Sequence, residues 1–236
     1  MTLPRPSFLR SIVLLAAAAA AAMLAFAQQA PPTATRFVVV LDAAHGGADR
    51  GGRLTSGQPE KAVTLALSVR LRSLLAARGI AVITTRESDI TLDPDTRAAV
   101  ANRANAQVCL NIHATESGSG VHLFVSSLAS APAARFVPWK TAQAVAITRS
   151  VALAGALNAA LLHAGMNVTL GRTALITVDS MTCPAVAVEL APQRGPDNAI
   201  TAQPDDPEYQ ASVASALAAA ILEWRSEAGH MEARMP

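Results

Sequence analysis

Aromatic side chains are scarce in this sequence, with one tyrosine, two tryptophans and five phenylalanines among 236 residues. Proteins that grip single-stranded nucleic acid stack bases on such rings and line the path with lysine and arginine. No basic stripe with interleaved aromatics occurs here, so nucleic acid is not an expected partner. The formal charge of +2 comes from 19 basic and 17 acidic residues. Arg5 and Arg10 sit in an N-terminal segment without acids, which leaves 17 against 17 in the rest, and a polyanionic partner is not expected either. Cysteine is limited to Cys109 and Cys183, too far apart for a local metal motif. Both lie in apolar segments. A bridge between them is permitted in an exported protein, and the simpler expectation is two buried small apolar side chains. No Gly-x-Ser-x-Gly elbow is present, which makes a serine hydrolase a poor fit, and no internal repeat is found.

At the N-terminus, Arg5 and Arg10 precede an apolar run from Ile12 to Phe26 that ends in Ala25-Phe26-Ala27. That is the pattern of a secretory signal peptide over residues 1–27, and the run is shorter than the roughly 20 residues of a membrane span. No cysteine follows the exit, so a lipid anchor is not expected. Export to the periplasm or cell envelope follows, with no stable membrane anchor after cleavage. Residues 28–35 form a short lead-in, 36–226 the folded domain, and 227–236 a flexible tail.

Within the domain, strands alternate with helices. Arg36 to Leu41 is an apolar β-branched run of the kind buried on both faces of a sheet. After a glycine-rich loop, Val63, Leu67, Leu71, Leu74 and Leu75 recur at helical spacing and Gly79 closes the helix. Ile80 to Thr85 predicts a second strand. Asp93-Pro94 opens a second helix, with the acid as N-cap and proline as first helical residue. Val108 to His113 and Gly120 to Ser126 predict two more strands, Thr141 to His163 a long helix, and Ala174 to Val178 and Pro184 to Leu190 two further strands. Asp206-Pro207 begins a last helix. The fold class is α/β: one domain with a mostly parallel or mixed sheet of about six strands and helices on both faces.

Candidate chemistry gathers where strands end, as open α/β sheets usually arrange it. His45 follows the first strand, His113 closes the third, Glu189 lies near the end of the last, and Glu60 opens the first helix. Each has an ordinary alternative. A histidine in a turn is commonly a surface residue, one inside an apolar strand is commonly a satisfied core residue, and an acid in a first helical turn is stabilised by the macrodipole. Glu189, within Ala185-Val186-Ala187-Val188-Glu189-Leu190, is the hardest to explain blandly, since a buried carboxylate without a partner costs several kcal/mol. Two histidines and a carboxylate are a common catalytic zinc set, to which a second carboxylate adds the proton acceptor for a water. His122 alternates with Val121 and Leu123 and faces either a site or solvent. His163 and His230 read as exposed helix-end or tail residues. Arg172 could meet a substrate carboxylate, with a structural role the simpler expectation.

Taken in order, the segments resemble the zinc-dependent N-acetylmuramoyl-L-alanine amidases of type 3. The resemblance rests on Val40-Leu41-Asp42-Ala43-Ala44-His45-Gly46-Gly47-Ala48-Asp49, Glu60-Lys61-Ala62-Val63-Thr64-Leu65, Thr84-Thr85-Arg86-Glu87-Ser88-Asp89, Leu92 to Arg97, Ala101-Asn102, Asn111-Ile112-His113-Ala114, and Pro184 to Glu189. It implies that His45, Glu60 and His113 bind Zn2+ and that Glu189 is catalytic. It also implies that the substrate is peptidoglycan, cut between the lactyl group of N-acetylmuramic acid and the L-alanine of the stem peptide. A non-catalytic peptidoglycan-binding module with this fold, or a zinc hydrolase of another envelope amide, would carry many of the same residues.

The chain departs from the family pattern in three places. Ala43-Ala44 stands where Pro-Gly is usual, Asn111 where a serine is commoner, and Leu190-Ala191-Pro192-Gln193-Arg194 where Gly-Phe and a Ser-Asn pair usually follow the catalytic glutamate. Some family members are held inactive by an inserted helix over the zinc. The corresponding interval here, Ser127 to Lys140, contains Pro132 and Pro138 and no amphipathic pattern, which makes such a helix improbable. An open site is expected, with Phe136 and Trp139 packed near the end of the loop. A protein activator is neither required nor excluded by the sequence.

Overall fold

The structure, a computed structural model, describes residues 36–133, 136 and 138–232. The expected signal segment and lead-in, and residues 233–236 of the expected tail, lie outside the described residues.

The strands are β1 (Val38–Ala43), β2 (Ala81–Thr84), β3 (Val108–Ala114), β4 (Val121–Ser126), β5 (Val168–Thr173) and β6 (Ala185–Leu190), joined in one sheet of order β2-β1-β3-β6-β4-β5. All neighbours are parallel except β4 and β6. β7 (Gln193–Arg194) and β8 (Ile200–Ala202) form a separate two-stranded ribbon. The helices are α1 (Glu60–Ala76), α2 (Pro94–Arg103), α3 (Ile147–His163), α4 (Ile176–Asp179) and α5 (Pro207–Glu232), with a 3-10 helix at Trp139–Val145.

Alternation along the strands divides the sheet into two unlike faces. One face carries Val39, Leu41, Leu110, Ile112, Val186, Val188 and Leu123, all fully buried. They pack against the i, i+4 stripe Leu67, Leu71 and Leu75 of α1, against Leu153, Leu157 and Leu161 of α3, and against Val213, Leu217 and Ile221 of α5. Truncating one of these leucines to alanine would cost about 2–5 kcal/mol. The opposite face has a smaller apolar cluster, in which Val40, Cys109 and Ala185 meet Ala98 and Ala101 of α2 and Val178 of α4. Towards the carboxyl ends of β1, β3 and β6 that same face becomes polar. It presents Asp42, Asn111, His113 and Glu189, together with His122 near the start of the reversed strand β4.

Asp93 caps α2 as expected, its side chain accepting from the backbone N–H of Thr96 at 2.8 Å. Four expectations are corrected. The strand anticipated at 174–178 lies earlier, at Val168–Thr173, and Ile176–Asp179 forms a short helix. Gly171 weakens the strand signal there, yet it is needed: a Cβ on it would fall 2.8 Å from the ring of Phe124 on β4. The helix expected from Thr141 is broken into the 3-10 segment and α3, bent by 67°. Gln143 fixes the bend, donating from a buried amide to the carbonyls of Met181 (2.9 Å) and Cys183 (3.0 Å). The last helix continues past Ser226 to Glu232, since residues 227–232 include good helix formers and no proline. Finally, Cys109 and Cys183 are not separate thiols but a disulfide, with Cα atoms 6.1 Å apart.

Candidate metal centre

His45 leaves β1 with φ of 61°, a left-handed conformation that costs a non-glycine residue of order 1–3 kcal/mol and tends to persist at functional sites. Two buried arginines hold this backbone. Arg97 donates to Asp42 Oδ1 (2.7 Å), to the carbonyl of Ala43 (2.7 Å) and to that of His45 (2.6 Å). Arg86 donates to the carbonyls of Ala43 (2.9 Å), Ala44 (3.0 Å) and Lys61 (2.7 Å), joining the loop to the start of α1. Gly51, with φ of 63°, passes so close that a Cβ would lie 2.6 Å from both Glu60 Oε2 and His45 Cδ2. No larger residue fits there without moving the site.

Glu60 stands between the two histidines. Its Oε2 is 3.1 Å from His45 Nε2 and its Oε1 is 2.8 Å from His113 Nδ1. Backbone N–H groups of Gly52 and Ala114 also donate to it, at 2.8 and 3.1 Å. Burial alone would raise the carboxyl pKa, but the hydrogen bonds from His113, His45 and Gly52 outweigh it and hold the group well below the ordinary carboxylate range. Hydrogen bonding to Glu60 chiefly raises His45, against desolvation and with help from Asp49.

The far side of each imidazole is also committed. His45 Nδ1 lies 2.8 Å from Asp49 Oδ2, and His113 Nε2 lies 3.0 Å from Asn111 Oδ1. Both partners are acceptors, so those nitrogens carry the protons. The remaining nitrogens donate to Glu60 when each ring carries a second proton, as in the hydrogen bonds described above, and a neutral ring turns a lone pair towards Glu60 that a cation among the three would accept. One ligand atom from each of His45, Glu60 and His113 falls within 4.8 Å of the others. This donor set, with each histidine oriented by a second acceptor, fits a divalent metal such as zinc.

Register places Glu189 beside this cluster. It pairs with His113 across β3 and β6, and with His122 across β6 and β4, so all three side chains lie in one row on the polar face. A cleft of about 370 Å3 opens at the two histidines and is walled by Leu92, Arg97, Asn111 and Ile176. Of the four residues singled out from the sequence, His45, Glu60 and His113 come together in one cluster, and Glu189 lies opposite His113 on the neighbouring strand. Sequence reasoning missed the supporting residues Asp42, Asp49, Arg97 and Asn111, and it left His122 undecided. All four supporting residues lie in the segments that carry the resemblance, but no role was read for them; Asp49 sits four residues beyond His45, and Asn111 two before His113 on the same strand face. Arg172 has the structural role, donating to the carbonyls of Ser126 and Leu128, and His163 is exposed at the end of α3.

A family model described as N-acetylmuramoyl-L-alanine amidase matches residues 39–223, most of the chain. The chain belongs to this family. Two curated amidases are similar to parts of it: AmiA of Escherichia coli K12, 36% identical over 86 residues (36% of this chain, 30% of that protein), and AmiC of Neisseria meningitidis, 32% identical over 108 residues (43% and 26%). The chain thus spans less than a third of the length of these relatives. Among solved structures, the catalytic domain of the amidase CwlV from Bacillus (Paenibacillus) polymyxa is 25% identical with a TM-score of 0.63, covering 80% of this chain and 98% of that one. The loop expected to end in packed aromatics differs: Phe136 is 82% exposed and Trp139 42%. The indole N–H of Trp139 points to Asp95 on α2.

Proposed function

We propose that this family member is an exported zinc amidohydrolase that cuts peptidoglycan between the lactyl group of N-acetylmuramic acid and L-alanine of the stem peptide. The observation that carries it is the carboxylate of Glu60 set between two imidazoles whose other nitrogens are already committed to acceptors. Bound by His45, Glu60 and His113, the metal would polarise the scissile carbonyl and acidify the attacking water. Glu189, one strand away from His113, accepts the proton of that water and returns it to the departing amine of alanine. Arg97, Asp42 and Asn111 hold the ligands in place before substrate arrives, which removes part of the ordering cost from the reaction. The cleft beside the histidines admits the stem peptide.

The mature protein loaded with one zinc, incubated with purified peptidoglycan, should release stem peptides with free L-alanine amino termini, read by mass spectrometry. Glu189→Gln should keep the metal and the fold while lowering turnover by about 10²–10⁴-fold. Binding of peptidoglycan without any released fragment would favour the binding-module reading. Fragments cut at another amide would favour a different envelope substrate.

A further inference from the structure

Glu189 has a neighbour that its role as a proton acceptor does not by itself account for. His122 Nδ1 lies 2.8 Å from Glu189 Oε2, between residues directly opposed in the antiparallel pairing of β4 and β6. An ionised carboxylate only accepts, so the imidazole is the donor. The ring is fixed on its other sides. Gly118 has φ of 84°, and a Cβ there would lie 2.4 Å from both Cε1 and Nε2 of His122. Phe124, two residues on and on the same strand face, meets the ring edge-on with centroids 6.1 Å apart. His122 is 9% exposed, whereas the side chain of Glu189 is 29% exposed. A buried, immobilised donor thus grips one oxygen of a carboxylate that is otherwise partly exposed.

Glutamate has three side-chain torsions, and a half-exposed one samples several rotamers unless something holds it. We propose that His122 is a positioning residue for Glu189, its Nδ1–H occupying Oε2 so that Oε1 is the oxygen presented to the attacking water beside His113. In this arrangement β6 carries the proton-transfer group, β3 on one side carries a metal ligand, and β4 on the other carries the group that aims the carboxylate. The reversed direction of β4 makes this possible, because it brings the second residue of that strand to the catalytic end of the sheet.

The inference rests on Glu189 being the proton-transfer group, and the experiment keeps the two apart. Two variants of the mature chain separate the donor from the ring: His122→Phe keeps an aromatic ring and loses the donor, while His122→Asn keeps a donor near Nδ1 and loses the ring. Zinc content, melting temperature, kcat and KM on soluble peptidoglycan fragments are measured for each. His122→Phe should lower kcat about 10- to 100-fold with KM and zinc content unchanged, while His122→Asn stays within about threefold of wild type. In a Glu189→Gln background, His122→Phe should add almost nothing, since the group it aims is gone. Should His122→Phe melt below the assay temperature, His122→Leu, close in shape to Asn, replaces it in the comparison with the same expectation. Wild-type kcat in a folded donorless variant, or His122→Asn as slow as that variant, would overturn the inference. A fully active Glu189→Gln would instead overturn the role of Glu189 on which it stands.

Discussion

Asn111 donates from Nδ2 to Asp42 Oδ2 at 2.7 Å, and that bond decides which end of its amide faces His113. Asp42 is fully buried and is itself held by Arg97 and by Thr85, whose hydroxyl donates at 2.6 Å. With its amide nitrogen taken, Asn111 offers only Oδ1 to His113 Nε2, which leaves Nδ1 free to ligate. Asn111→Leu should therefore weaken zinc binding by about 10- to 100-fold, the usual effect of losing an outer partner of a metal histidine. Competition against a chelator of known affinity measures this, with melting curves to confirm folding. Unchanged affinity in a folded variant would show that the tautomer is set some other way.

The metal-free protein should show a characteristic response to pH. The folded pKa of Glu60 is depressed from its ordinary 4.5, so the stability it contributes is present above 4.5 and lost as pH falls below it. The folded pKa of His45 is raised from 6.5, so its contribution is complete below 6.5 and fades as pH rises beyond. Metal binding displaces the added proton from His45, so the gap in stability between loaded and metal-free protein should widen as pH rises from below 6.5 to above it. Denaturant titrations of both forms across that range check it, and a constant gap would speak against proton displacement at this site.

The Cys109–Cys183 disulfide closes a span of 74 residues. Replacing both cysteines with alanine should cost about 2–5 kcal/mol in urea unfolding, chiefly through a less restricted unfolded chain. Cys109 is fully buried and Cys183 only 4% exposed, so reductant should act slowly on the native protein. Rapid loss of structure in mild reductant would mean that the bridge is reached without unfolding.

Access to the ligands yields a fourth expectation. The side chains of His45 and His113 are 23% and 30% exposed, and among the described residues of 127–138 there is no helix. None of the residues 190–204 lines the cleft beside the histidines. The purified mature protein should hydrolyse peptidoglycan alone, with any added protein changing the rate by less than about tenfold, a difference of about 1.4 kcal/mol. Negligible turnover that rises steeply on adding an activator would refute this.

Much of the site was legible because its residues interrupt apolar strands at their ends. Glu189 after Val186-Ala187-Val188 and His113 after Leu110-Asn111-Ile112 stand out in runs otherwise suited to burial. Their supports were not legible, because each depends on pairing that no local period encodes. His122 gains meaning only when β4 is known to run antiparallel beside β6, and Asp42 only when Asn111 is known to lie opposite it on β3. In the fold, strong local signals at Asp93-Pro94 and Asp206-Pro207 placed helix starts well. The edge strand β5 was misplaced because Gly171, chosen for the ring of Phe124, breaks its β-branched pattern, while Ile176-Thr177-Val178 imitates a strand and coils into a single turn.

The position of β6 governs the order in which the molecule can be completed. Strands β3 and β4 follow one another in the chain, joined by residues 115–120, yet they do not pair; the strand that belongs between them comes about 60 residues later. Until Ala185–Leu190 arrives, each has an unpaired edge, Cys109 lacks its partner and the polar row lacks its middle member. The last sheet strand in the sequence is thus a keystone inserted into a gap held open for it. Such long-range closure belongs to the slow steps of folding, and it separates in the chain the residues that could hold a metal, His45, Glu60 and His113, from Glu189, which enters the polar row only with the strand that fills the gap.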